Sequence, residues 1–260
     1  MTTSRPVRTE DDVRRLMRQS RWVLRLSRNW LWIVLGFLFV YTGLSLTAPV
    51  LMKAGAEGPA NVIYTIYKPM CHQFAFRSWF FFGEQVAYPR EIAGADIGSF
   101  EEYAAKDPEF AGLDLSVWTS DLQLKARSFT GNETMGYKSA LCQRDVLIYG
   151  VMFVAGLLFI PIRKRLRPAP VLLYLFLGLG PIALDGGSQL VSYPPLELWP
   201  VRETLPGYRA LTGAMFGLMN VWLAFPYLEQ SMNEAQAAMT ERLAIADERL
   251  ALLRGESGEG

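Results

Sequence analysis

The residues best suited to chemistry in this chain are a single histidine and two cysteines. His72 directly follows Cys71, and Cys142 comes much later in the chain. With one His and two Cys in 260 residues, such an adjacency seldom arises by chance. Thiol and imidazole groups bind metal ions, thiols form disulfides, and imidazole moves protons near neutral pH. The run around Cys71 is therefore the first candidate for a functional site.

Four long apolar runs separate the polar parts of the chain. They cover residues 31–52, 146–162, 171–191 and 210–227, and Asp185 interrupts the third. A helix needs about 20 predominantly apolar residues to cross the hydrocarbon core of a bilayer. The sequence therefore predicts an all-α membrane protein, a bundle of four transmembrane helices surrounded by the lipid bilayer.

The basic residues indicate which way the spans run. Residues 1–28 hold eight Arg against three acidic residues, and the loop 163–167 holds four basic residues. Both segments lie on one side of a four-span chain, and the positive-inside rule places that side in the cytoplasm. We expect a plasma-membrane protein with both termini cytoplasmic and a mixed extracytoplasmic insertion over residues 84–140. The first span is interpreted as a retained anchor, because its charged flank is too long for a signal peptide.

The sequence divides into three parts: a basic amphipathic helix over 1–28, a four-span domain over 29–226, and a charged helix over 227–260. The first helix either lies on the cytoplasmic leaflet, where acidic lipids attract Arg, or is solvated. The last helix carries an apolar seam of about three heptads. The seam comprises Met232, Gln236, Met239, Leu243, Ala246, Leu250 and Leu253. Its partner is either the Val13 face of the same chain or a second copy, which would make a homo-oligomer.

The segment between the first two spans predicts short elements. Ser99 and Glu102 form a capping box that predicts a short helix. Weak alternation over 117–118 and 122–129 predicts a pair of strands. The aromatic stretch 74–83 is typical of the membrane interface, and it could also extend into a span.

Threading the four spans brings polar side chains from distant parts of the chain to one level, at the outer face. They are Cys71, His72, Gln73, Arg77, Cys142, Arg144, Asp145, Asp185, Gln189 and Arg209. Ionisable side chains at membrane depth are costly, so they face the bundle interior and pair with one another. We expect Asp185 to pair with Arg77, Arg144 or Arg209.

These motifs together resemble the signature of domain of unknown function 2085 (DUF2085), a family of prokaryotic polytopic membrane proteins without an established activity. The motifs are Pro-x-Cys-His-Gln at 69–73, Arg-Ser at 77–78, Gly83, Cys-x-Arg at 142–144, Ile-Tyr-Gly at 148–150, Asp-Gly-x-x-Gln at 185–189 and Arg-x-x-Thr-Gly at 209–213. The resemblance covers about residues 64–217, with 84–140 as an insertion. Many relatives carry a second Cys where this chain has Asp145, so the resemblance does not imply a three-thiol site here.

Three interpretations of the cysteines stay open. A disulfide between Cys71 and Cys142 would close a long loop in an oxidising compartment. A zinc site could use both thiols with Asp145 and His72, although adjacent residues of an extended chain point in opposite directions. In the third interpretation the thiols are free, and His72 acts as a general base beside Asp185.

The leading functional prediction is a binding or assembly protein with a polar pocket at its extracytoplasmic face. The expected substrate-binding residues are Gln73, Arg77, Arg144, Gln189 and Arg209. The alternative is a membrane-embedded hydrolase or transferase, in which Arg residues hold a lipid-linked or anionic substrate and His72 and Asp185 are catalytic. A small transporter subunit comes third. Nucleic acid is not an expected partner, because the basic residues flank the membrane.

Overall fold

The computed structural model describes residues 9–256. Arg5 and Arg8 of the predicted basic helix, and the last four residues of the predicted tail, lie outside the described residues. Four helical segments are long and apolar enough to cross a membrane. They are Glu10–Lys53, Gln143–Ile162, Val171–Ser192 and Pro206–Arg254. The predictions of a mainly helical chain and of four candidate spans are confirmed.

The described chain contains eight α-helices and a small sheet. The helices are α1 (Glu10–Lys53), α2 (Glu57–Tyr67), α3 (Phe100–Ala104), α4 (Ser120–Ser128), α5 (Gln143–Ile162), α6 (Val171–Leu173), α7 (Gly180–Ser192) and α8 (Pro206–Glu256). A π-helical segment, Tyr174–Leu179, joins α6 to α7 at the glycine- and proline-containing part of the third span. The strands are β1 (Ser78–Phe81), β2 (Gly131–Asn132) and β3 (Gly136–Cys142).

The strands form one antiparallel sheet in the order β1-β3-β2. This sheet, α3 and α4 form a cap, residues 74–142, over one end of the helices. The core of the cap is aromatic and contains Phe76, Phe80, Tyr88, Phe100 and Phe129. Residues 74–83 form a 3-10 turn and β1, so they are part of the cap and not of a span.

One element of the cap differs from the sequence prediction. Residues 122–129 were expected to form one strand of a pair, but all except Phe129 lie in α4 (Ser120–Ser128). The Thr119 hydroxyl accepts a hydrogen bond from the Leu122 backbone N–H at 3.2 Å, which caps the helix. Leu122 and Ala126, four residues apart, bury one face of it in the cap core. The predicted helix start at Ser99 is confirmed, because the Ser99 hydroxyl accepts from the Glu102 N–H at 3.1 Å and caps α3.

The first helix is much longer than a bilayer needs. At about 1.5 Å per residue, a helix of this size is roughly twice as long as the hydrocarbon core is thick. The N-terminal basic residues therefore continue along the axis of the first span. They pack beside the end of α8: the Gln236 amide donates to the Ser27 carbonyl at 3.0 Å, and Arg254 contacts Glu10 at 3.2 Å. The seam residues of α8 are all half-buried.

Glycines bring α5 and α8 into close contact at the cap end. A Cβ atom on Gly213 would lie 2.6 Å from the Arg144 carbonyl oxygen, and one on Gly217 would lie 2.4 Å from the Ile148 carbonyl oxygen. Gly-x-x-x-Gly spacing is a common means of close helix approach in membranes. This contact places the start of α5, with Arg144 and Asp145, beside the start of α8.

Candidate functional site

A cavity of about 490 Å³ lies between the cap and the cap ends of the spans. We call it the cap cavity. Its lining residues include Cys71, His72, Gln73, Arg77, Cys142, Arg144, Asp145, Gln189 and Arg209. The structure thus brings nearly all the residues singled out in the sequence to one cavity. Asp185 lies next to it, since its neighbour Gly186 lines the wall.

Glu203 is the buried centre of the charge network beside this cavity. Its Oε1 accepts hydrogen bonds from Arg77 Nη2 at 2.5 Å and from the Tyr193 hydroxyl at 2.6 Å. Its Oε2 accepts from Gln189 and Arg209. Burial would raise the pKa of Glu203, but the positive charges of Arg77 and Arg209 hold that pKa below its usual range. The carboxylate is therefore charged at neutral pH.

Sequence reasoning missed Glu203. It lies in the loop 193–205 between α7 and α8, where no helical or strand periodicity marks a residue as buried. The available signal was its position: an acidic residue between two spans, next to a set of Arg residues that needed a counter-charge.

Arg77 is held on aromatic rings as well as by Glu203. Its guanidinium carbon lies 5.4 Å from the ring centre of Phe74 and 5.6 Å from those of Trp118 and Tyr193. Guanidinium groups stack favourably on aromatic faces. Arg77 is therefore fixed in position at the wall of the cap cavity.

Asp185 forms a second charge network. Its carboxylate accepts hydrogen bonds from Arg144, from Arg202 Nη2 at 3.2 Å and from the Thr204 hydroxyl at 2.7 Å. The prediction that Asp185 pairs with one of three Arg residues is confirmed for Arg144. Arg202 was missed for the same reason as Glu203.

Cys71, Cys142 and Asp145 converge on the cavity wall. One ligand atom from each lies within 4.8 Å of the other two. Both cysteines are free, and the Cys142 backbone N–H donates to Cys71 Sγ at 3.2 Å. The hydrogen bond between the two thiols lowers the pKa of Cys71 and raises that of Cys142. One thiol of the pair is therefore the more readily ionised.

His72 lies apart from this group. Its side chain is exposed, and its ring stacks on Phe74 with the ring centres 5.6 Å apart. Within residues 9–256, no hydrogen bond joins His72 to Asp185, whose carboxylate is bound by Arg144, Arg202 and Thr204. The structure therefore places the two predicted catalytic residues in different surroundings.

Comparison with known proteins adds one result. Residues 122–223 match the family model described as a predicted membrane protein, DUF2085. The resemblance to DUF2085 is confirmed over this range. No curated protein and no solved structure matches the chain. Together with the four apolar helices, the match identifies a membrane protein.

The segment that matches the DUF2085 model supplies part of the cap cavity and both carboxylates of the charge networks. It contains Cys142, Arg144, Asp145, Asp185, Gln189, Arg202, Glu203 and Arg209. The rest of the lining comes from the run 70–77 and from Trp118, which precede the matched range. The cavity is therefore completed by residues outside the segment that the family model recognises.

Gln73, a predicted substrate-binding residue, is occupied by backbone contacts. Its backbone φ is 54°, and its side-chain amide donates to the carbonyls of Tyr64 at 3.0 Å and Ala140 at 2.9 Å. Its own carbonyl accepts from Lys138 Nζ at 2.6 Å. Lys138, which the sequence analysis did not single out, is fully buried, and burial lowers its pKa to about 7. Gln73 and Lys138 therefore hold the turn that positions Cys71.

Proposed function

We propose that this membrane protein binds a small anionic ligand in the cap cavity. The observation that carries the proposal is an excess of arginine in the two charge networks. Within the part of the chain that the structure describes, Glu203 is shared by Arg77 and Arg209, and Asp185 is shared by Arg144 and Arg202. Each carboxylate thus faces two guanidinium groups, and three of the four Arg line the cavity.

Such an excess is costly without a counter-charge. Arg209 and the Glu203 side chain are almost fully buried, so water screens them poorly. Asp145 adds a third carboxylate to the cavity wall. One positive charge remains in excess over these three carboxylates when Arg202 is counted, whose side chain is 40% exposed and lies outside the cavity lining. An anion in the cavity would balance that charge.

Arg144 lines the cavity and has a hydrogen-bond donor that no residue among 9–256 uses. Its Nε is buried and has no hydrogen-bond partner among residues 9–256, although one Nη binds Asp185. Buried donors without an acceptor are uncommon, because each one costs desolvation free energy. Carboxylate and phosphate oxygens are the acceptors that a guanidinium binds most strongly.

The orientation proposed for this site is extracytoplasmic. The loop 163–167 lies at the opposite end of α5 from the cavity, as do both ends of the described chain. The basic residues of that end favour the cytoplasm, so the ligand would enter from outside or from the outer leaflet. Leu190 and Met70 line the cavity as well, which would suit a ligand carrying an apolar chain.

Binding is favoured over hydrolysis or group transfer by the surroundings of the predicted catalytic pair. A general base needs a free acceptor within hydrogen-bond reach of the proton that it removes. Asp185 is engaged with two Arg residues and Thr204, and His72 stacks on Phe74 away from it. Their contacts thus suit structural roles better than proton transfer between them.

The test is ligand binding by the purified protein in lipid nanodiscs. Inorganic phosphate and a polyprenyl phosphate are titrated calorimetrically against the wild type, Arg144→Gln and Arg144→Lys. We expect Arg144→Gln to lower the affinity about tenfold or more, because the free energy of one charge-assisted hydrogen bond corresponds to a change of that order. Arg144→Lys should bind more tightly than Arg144→Gln and more weakly than the wild type, because Lys keeps the positive charge but lacks the guanidinium fork.

Arg15→Gln is the control, because Arg15 is exposed on α1 at the opposite end of the protein. It should bind both probes as the wild type does. Equal affinity of Arg144→Gln and the wild type, or no binding of either probe, would refute the proposal. A response to the polyprenyl phosphate alone would identify a lipid-linked ligand.

A further inference from the structure

We propose that Cys71, Cys142 and Asp145 form a binding site for a divalent transition metal, with zinc as the best chemical match. The site would leave one coordination position open to the cap cavity. It goes beyond the proposed anion binding, because its ligands are Cys71, Cys142 and Asp145, whereas the anion is expected to contact Arg144.

The geometry of the three side chains suits a metal. Their ligand atoms lie within 4.8 Å of one another. Ligand atoms of a tetrahedral zinc site, at about 2.0–2.3 Å from the metal, lie roughly 3.3–3.8 Å apart. Small side-chain rotations would therefore close the group around an ion, without movement of the backbone.

The three side chains are held by three different elements. Cys71 lies in the turn after α2, Cys142 is the last residue of β3, and Asp145 is in the first turn of α5. The Cys71 turn is fixed by the hydrogen bond from buried Lys138 to the Gln73 carbonyl. Pre-positioned ligands of this kind lower the ordering cost of binding an ion.

A backbone donor helps to hold one of the two sulfur ligands in place. The Cys142 N–H donates directly to Cys71 Sγ at 3.2 Å, which is the sort of backbone contact that stabilises a coordinating sulfur. Arg144 lies between Cys142 and Asp145 in sequence and lines the same cavity, and Arg209 lines it too. Both Arg residues are already paired, with Asp185 and Glu203, so the charge of the divalent ion itself offsets most of the charge of two thiolates and a carboxylate.

Among residues 9–256, no fourth protein ligand lies with these three. His72 was the sequence candidate, but it does not belong to the converging group, and its ring packs on Phe74. Closed structural zinc sites have four protein ligands, whereas three ligands with an open position are typical of sites that bind a further molecule. Water or the oxygen of an anion in the cap cavity would complete the coordination.

The role of Asp145 distinguishes a metal site from a disulfide between Cys71 and Cys142. Two free thiols so close together could also be oxidised to a disulfide, and Asp145 would play no part in that bond. A metal site needs the carboxylate. Asp145→Asn keeps the size of the side chain and removes the charged oxygen ligand, so it tests the metal and leaves the thiols intact.

The experiment uses the full-length protein, reduced, freed of metal and kept without oxygen in detergent. Zn²⁺ is titrated with elemental analysis of the bound ion, and Co²⁺ is titrated with absorption spectroscopy, which reports thiolate coordination directly. We expect about one equivalent in the wild type. Cys71→Ser and Cys142→Ser should lose the cobalt–thiolate absorption, and Asp145→Asn should bind tenfold more weakly or worse.

His72→Gln is the matched control and should bind metal as the wild type does. The thermal midpoint without metal, measured for every variant, shows whether a loss of binding reflects a loss of folding. The wild-type titration involves no substitution, so misfolding of a variant cannot affect its result. A wild type with two reactive thiols and no bound Zn²⁺ or Co²⁺ would overturn the proposal, as would unchanged affinity in Asp145→Asn. Phosphate binding is read separately, so failure of the metal site would not be mistaken for failure of the anion site.

Discussion

Arg144, in the first turn of α5, and Asp185, in α7, form an ion pair that joins two spans beside the cap cavity. Neither residue is more than one-fifth exposed, with side-chain exposures of 17% and 12%. Arg202 shares the same carboxylate from the loop before α8. The Asp185 carboxylate therefore ties the third span to the second span and to the loop that precedes the fourth.

Asp185→Ala should destabilise the protein more than Arg144→Ala. Loss of Asp185 leaves two guanidinium groups without their carboxylate, whereas loss of Arg144 leaves Asp185 bound to Arg202 and Thr204. Removing one partner of a buried ion pair costs about 3–5 kcal/mol. The free energy of unfolding in mild detergent would be measured for both variants and for the double variant. Equal effects of the two single changes would contradict the shared network.

Glu203→Gln should make stability less sensitive to acid. The pKa of Glu203 lies below its reference value of 4.5, so its contribution is fully present above that pH and is lost as the pH falls through the lowered folded-state pKa. Gln cannot titrate, so the variant should be less stable at pH 7 and lose less on acidification. Thermal midpoints between pH 7 and about 3 test this. Parallel pH curves for the variant and the wild type would show that Glu203 is not the responsible group.

Gly213→Ala should be destabilising and Gly187→Ala should not. A Cβ atom at 213 would lie 2.6 Å from the Arg144 carbonyl oxygen, whereas one at 187 meets no atom within 4 Å. Overpacking of a close contact costs about 1–3 kcal/mol, while Ala in an open helix position is neutral or favourable. Thermal unfolding of the two variants gives the comparison. A similar loss in both would mean that α5 and α8 are not in close contact at Gly213.

Cysteines placed at Glu10 and Arg254 should cross-link within one chain. These side chains contact each other at 3.2 Å in the structure. The native cysteines would be replaced by serine, and Leu250→Cys alone would report contact between copies. We expect an efficient intramolecular product from the pair and little dimer from the single variant. Dominant dimer from Leu250→Cys would favour the rival prediction, a homo-oligomer joined by its tails.

A cysteine at Asp96 should react with a membrane-impermeant maleimide in intact cells. Asp96 is exposed in the cap, and Lys164 is exposed in the basic loop at the opposite end. If the cap is extracytoplasmic, Asp96→Cys is labelled in intact cells and Lys164→Cys only after lysis. The reverse pattern would move the cap cavity to the cytoplasmic side. Both native cysteines are replaced by serine in this test as well.

The sequence was sufficient for features that depend on neighbouring residues. Apolar length predicted the four spans, and Ser99 with Glu102 predicted the start of α3, because a capping box is a local hydrogen-bonding pattern. It also indicated which polar side chains would meet, since the alternating spans return each of them to one end. The strand prediction over 122–129 was wrong, because Thr119 caps a helix there and the cap core buries its Leu122 face.

Only the tertiary structure decided how those side chains are paired. Glu203 and Arg202 lie in a loop whose sequence has no periodicity, so nothing local marks them as buried counter-charges. The sequence gives no sign that Lys138 is buried. Only the fold places its side-chain amine against the Gln73 carbonyl. The sequence also suggested that His72 acts together with its neighbour Cys71. In the structure the His72 ring stacks on Phe74, and Asp145 is the residue that lies beside the two thiols. Residue spacing predicts local hydrogen bonds and apolar faces, whereas contacts between distant elements depend on how all the helices pack together.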